Sequence, residues 1–71
     1  MNSANLIKMA NQIGTFFAAM PDRQQAILDV ANHIQKNWEP RMRAELIAHV
    51  AANGVGELND IVRDALQRID S

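Results

Sequence analysis

The proline at position 40 constrains this chain more than any other residue. Its ring removes a backbone donor and drives the preceding residue out of helical geometry, so one helix is predicted to close near Asn37 and another to open at Pro40. Trp38, the single tryptophan of the 71-residue sequence, falls in that joint. A tryptophan at a helix corner either plugs the core, its ring N–H finding a carbonyl or water, or anchors a second protein, since Trp and Arg dominate many interface energies. The run from His33 to Arg43 sets Lys36, Arg41 and Arg43 against Glu39, a local charge of +2 in a chain whose formal sum is −1.

Upstream of that joint, Leu6, Ala10, Ile13, Phe17 and Met20 recur at helical spacing and predict a first helix from about Ser3 to Ala19, with Ser3 as its N-cap. Met9 and Phe16 widen its apolar arc on one side, and Ile7, Gly14 and Ala18 on the other. So wide an arc exceeds what the first helix of a small bundle ordinarily buries. A glycine inside a helix costs about 1 kcal/mol relative to Ala and marks a close backbone approach, within this domain or from another chain. Lys8, Asn11, Gln12 and Thr15 take the opposite face, as solvated amides or as hydrogen-bonding groups for a partner.

Met20-Pro21 closes the first helix. Asp22 with Gln25 three residues on reads as a capping box, and Ile27, Val30, Ala31, Ile34 and Trp38 carry the stripe of a second helix over Arg23 to Asn37. His33 and Leu28 lie to either side of it. A third helix is expected from Pro40 to about Ala52, stopped by Asn53-Gly54, where glycine supplies a left-handed residue. Arg43 projects into its apolar arc of Met42, Leu46, Ile47 and Val50. A guanidinium there either snorkels to water or meets a carboxylate or carbonyl, of its own chain or of a partner. Arg41 points away and lies one turn from Glu45, at the spacing of an exposed ion pair.

Leu58, Ile61, Val62, Ala65, Leu66 and Ile69 predict a fourth helix over about Glu57 to Ile69. The expected fold is therefore all-α, a compact bundle of four short helices forming a single domain over 1–71, with frayed ends at about 1–3 and 70–71.

Chemistry-bearing constellations do not emerge from the sequence. There is no Cys, and His33 and His49 lack a second ligand at helical spacing. The serines, Ser3 and Ser71, sit at the ends, and Gly54 and Gly56 follow a helix rather than a strand, unlike a phosphate loop. The chain is not expected to be an enzyme by itself or to hold a cofactor or metal. The apolar run Ile13 to Met20 is far shorter than the ~20 residues of a membrane span, and the balanced charge argues against a polyanion binder. A soluble cytoplasmic protein is expected, with no membrane and no nucleic acid among its partners. The competing class is an independent regulatory module, DNA-binding or adaptor, but helix 3 offers few basic or amide side chains beyond Arg41 and Arg43.

Two longer motifs carry a resemblance. Lys8-Met9-Ala10-Asn11-Gln12-Ile13, followed by Phe16-Phe17 and by Val30-Ala31-Asn32-His33-Ile34, leads to Trp38-Glu39-Pro40-Arg41-Met42-Arg43. Over about residues 5 to 69 this pattern resembles the delta subunit of the soluble, cytoplasmic, molybdenum- or tungsten-containing NAD-dependent formate dehydrogenases. The resemblance implies an accessory subunit without a redox centre, serving assembly, stability or cofactor loading of the alpha subunit. In that family the alpha subunit carries molybdopterin and iron–sulfur clusters, and beta and gamma subunits pass electrons to NAD through flavin (FMN). The residues expected to meet the partner are Met9, Asn11, Gln12, Phe16, Trp38, Pro40, Arg41 and Arg43, with Trp38 and Phe17 the first candidates for core positions.

Overall fold

The computed structural model describes residues 2–69. Four helices follow one another as α1 (Ser3–Ala18), α2 (Arg23–Asn37), α3 (Pro40–Asn53) and α4 (Asp60–Leu66), with no strand among the described residues. The all-α bundle expected from the periodicity is thus the observed one. Fraying expected at residues 1, 70 and 71 lies outside the described residues, whereas Ser3 is already helical.

Helix starts follow side-chain caps rather than the edges of the apolar pattern. The N-cap of α1 is Asn2 and not Ser3, because the Asn2 carboxamide oxygen accepts from Asn5 N at 2.9 Å and asparagine caps as well as serine does. Asp22 caps α2 as expected, accepting from Gln25 N at 3.2 Å, while the Gln25 amide reaches forward to Asp29 Oδ1. Pro40 opens α3, with Trp38 and Glu39 both extended before it. That helix stops at Gly54, whose φ of 83° lies in the left-handed region that glycine adopts without strain.

The largest departure from the expected boundaries is α4, which is shorter than Glu57 to Ile69 at both ends. Asn59 caps it, accepting from Val62 N at 3.3 Å, and a strong cap fixes where a helix begins more firmly than a hydrophobic neighbour does. Leu58 and Ile69 remain buried outside the helix. Leu58 is turned inward by a bond from its N–H to Val55 O, and Ile69 by one to Leu66 O, so the apolar pattern outlasts the helix that it implied.

One helix organises the packing. α1 touches each of the other three, and α2 also packs on α4. Leu6, Val30, Ile34, Leu46 and Val62 are fully enclosed. Gly14 explains how α4 comes so close, since a Cβ there would stand 2.6 Å from Val62 Cγ2, 2.8 Å from Asn59 Oδ1 and 2.9 Å from Ile61 Cγ2. The glycine therefore serves packing within this chain.

Candidate partner-binding surface

Arg43 and Trp38 build the corner from the inside. Trp38 is 5% exposed and Arg43 8%, and the guanidinium Nη1 donates to the carbonyl oxygens of Trp38 and, at 3.2 Å, of Gln35. These belong to the last turn of α2 and its C-cap, where carbonyls lack helical partners and a cation is favoured. The carbonyl that Arg43 needs is thus supplied by its own chain. No buried side-chain nitrogen or oxygen is left without a partner among the described residues.

The same corner presents Pro40 and Arg41 to solvent. Arg41 makes no ion pair among the described residues, so the expected link to Glu45 is absent. An arginine preceding its glutamate by four residues is the weaker orientation on a helix, opposed by the macrodipole. With Arg43 turned inward, Lys36 and Arg41 against Glu39 leave an exposed charge of +1 where the sequence had promised +2.

On α1 the wide apolar arc divides. Ile7, Ala10 and Gly14 are buried, so that side is consumed by the core. On the other side Met9, Ile13 and Phe17 are half-buried against the core, Met20 is 42% exposed, and Phe16 is 74% exposed. Phe16 stands edge-to-face on Phe17, with centroids 5.1 Å apart, and Phe17 in turn meets the His33 ring at 6.1 Å. Such edge-on arrangements suit the quadrupoles of the rings. A groove of ≈ 350 Å³ runs between Gln12, Ile13, Phe16, Phe17 and His33. A second, of ≈ 460 Å³, shares Phe17 and His33 and is lined also by Asp29, Asn32, Lys36 and Asn37. Asn37 is the last residue of α2, next in sequence to the Trp38 C-cap, while Pro40 and Arg41 line neither groove.

The structure therefore brings Gln12 and Phe16 into one groove and leaves Met9 beside it on the core. Asn11 goes elsewhere. Its Nδ2 donates to Glu57 O at 2.9 Å, its Oδ1 accepts from Asn59 N at 2.9 Å, and its backbone carbonyl accepts from Asn59 Nδ2 at 3.2 Å. The amide that the helical wheel assigned to an open face is the strap that ties the loop before α4 to α1. Asn32 and His33, which stand in the family motif, and Lys36, which counts in the local charge, were not among the expected contact residues, because only the crossing of α1 over α2 brings them beside Phe17. Among the described residues no three His, Asp or Glu side chains converge as metal ligands, and His49 pairs with Glu57 at 3.0 Å. No described helix is long and apolar enough to cross a membrane.

Comparison with curated proteins and with solved structures found no match in either. A family model described as the NADH-dependent formate dehydrogenase delta subunit, FdsD, matches residues 5–66. That span includes α1 to α4 in nearly their full length, both grooves and the Trp38–Arg43 corner, and so the chain belongs to the FdsD family of formate dehydrogenase delta subunits.

Proposed function

We propose that this chain is a non-catalytic accessory subunit that binds the large, molybdopterin-carrying alpha subunit of a cytoplasmic NAD-dependent formate dehydrogenase and supports its assembly, stability or cofactor loading. In this reading formate oxidation and the passage of electrons through iron–sulfur clusters and FMN to NAD belong to the alpha, beta and gamma subunits. The contact surface comprises Met9, Gln12, Phe16, Pro40 and Arg41, while Trp38 and Arg43 shape the corner from within and Asn11 ties the loop before α4 to α1.

The observation that carries the reading is Phe16, 74% exposed on the helix that organises the core, in a chain of this family. A phenylalanine contributes nothing to the core at that exposure, whereas a buried one is worth about 1.5–3 kcal/mol, and a partner is what buries it. Arg43 supports a protein partner over DNA. Once it is turned inward, the outer face of α3 after Arg41 offers Ala44, Ala48, Ala51 and Ala52, with one amide, Asn53, at its end bonded back to His49 O, where a recognition helix would present several basic and amide side chains.

Tagged chain isolated from its native lysate under mild conditions is the direct test. Recovery of the molybdenum- or tungsten-containing large subunit, identified by mass spectrometry, is the expected result. Recovery of monodisperse free chain alone would contradict it. Metal content per large subunit in cells lacking the chain then separates cofactor loading, where it falls, from simple stabilisation, where it holds while the amount of enzyme falls.

A further inference from the structure

Asn53 closes α3 and Gly54 follows it, and of the seven asparagines in the sequence only Asn53 precedes a glycine. At such a pair the backbone nitrogen attacks the neighbouring carboxamide with least hindrance, because glycine brings no side chain into the approach. The space beside Gly54 is also open, since a Cβ built there would meet nothing within 4 Å among the described residues. Asn53 is itself exposed. What restrains the pair is therefore its own bonding.

That bonding engages each reacting atom. The Gly54 nitrogen, the nucleophile, donates its proton to Val50 O at 2.7 Å. Nδ2 of Asn53, the leaving group, donates to His49 O at 3.1 Å and lies 3.4 Å from His49 Nδ1. His49 is held in turn by Glu57 Oε1, 3.0 Å from its Nε2, and the tautomer with the proton on Nε2 leaves Nδ1 to accept from Asn53. Ring closure also needs the ψ of Asn53 turned out of its helical range, which breaks the last turn of α3. Helix ends are where such turns open most readily.

We propose that Asn53 is a latent site of deamidation, held shut by the last turn of α3 and the His49–Glu57 clasp and released when that turn opens. Once it is open, the Gly54 nitrogen gives its proton to hydroxide and bonds to the side-chain carbonyl carbon of Asn53. The bond from that carbon to Nδ2 breaks, ammonia leaves, and a cyclic imide forms. Water then opens the imide at either carbonyl, leaving an aspartate or an isoaspartate at the same position. Either product loses the donor to His49 O and sets a carboxylate at the carbonyl end of the helix, where negative charge is disfavoured. Both weaken the turn that held the site shut, so the conversion marks chains that have stood with this end of α3 open. The proposal is independent of the accessory-subunit reading.

The test incubates the purified full chain in mildly alkaline buffer, with and without urea, and follows each asparagine by peptide mass spectrometry, with isoaspartyl methyltransferase labelling to identify isoaspartate. Asn53 is expected to convert ahead of every other asparagine in both conditions. In the folded chain its rate is expected to be about tenfold below that in urea, the ratio set by an opening free energy of about 1.4 kcal/mol at a helix end. His49→Ala removes the ring but keeps the backbone carbonyl, and is expected to quicken the folded chain's reaction about threefold with the rate in urea unchanged, the effect of one lost exposed hydrogen bond. Conversion of Asn53 no faster than that of the other asparagines, or equal with and without urea, would overturn the proposal. An unaltered folded rate in His49→Ala would do so too, since control would then lie in global unfolding and not in the clasp.

Discussion

Arg43 shows how one side chain changes meaning once its surroundings are known. On a helical wheel it is a cation misplaced in an apolar arc; in the fold it closes the carbonyl end of α2 through Gln35 O and Trp38 O. Removing it leaves buried acceptors without donors, at about 1–3 kcal/mol. Arg43→Ala is therefore expected to lower the urea unfolding free energy by that amount, with Arg43→Lys intermediate because an ammonium still donates but on a shorter side chain. Unchanged stability in Arg43→Ala would show that the carbonyls are served by water. The sequence left Arg43 either snorkelling to water or meeting a carbonyl or carboxylate, and did not say whose. That answer depends on the angle at which α3 leaves the Pro40 corner, and no spacing rule contains it.

Contacts between helices turn on two residues of α1. Gly14→Ala raises helix propensity by about 1 kcal/mol, yet its new methyl would press on Val62 and Asn59 at under 3 Å. Overpacking of this kind costs about 1–3 kcal/mol, so a net loss of stability is expected in thermal unfolding, and a gain would mean that α4 moves away freely. Asn11→Ala should cost about 0.5–1.5 kcal/mol by removing the bonds to the exposed Glu57 O and the part-buried Asn59 N. Its signature is faster amide exchange at 57–59 than in α2, and uniform change across the chain would contradict a local strap. Helix number, the starts at Arg23 and Pro40 and the stop at Gly54 were readable, because prolines, Asp22 and a glycine act within a few residues of themselves. The Ser3 cap and the length of α4 were not. There two plausible caps competed, or an apolar pattern continued through turns.

Taken as a unit, the chain has little stability to spare. A core of this size supplies about 3–5 kcal/mol, and truncating a buried tryptophan costs about 3–5 kcal/mol. Trp38→Ala is therefore expected to be largely unfolded by circular dichroism at 25 °C, and a folded variant would show that Trp38 contributes little to the core. Of the expected contact residues, Gln12, Phe16, Pro40 and Arg41 are exposed, as pattern and motif implied. That Asn32, His33 and Lys36 share a groove with Phe17 was not legible, since it follows from the crossing of α1 and α2.

The face of Phe16 is surplus to the fold, and in the proposed function a partner covers it. Hydrogen–deuterium exchange of the chain, free and within purified formate dehydrogenase, tests this most directly. Protection gained on assembly at residues 12–17 and 32–41, with α4 unchanged, is the predicted result. Protection confined to α4 and the loop before it, with residues 12–17 exchanging as in the free chain, would contradict it.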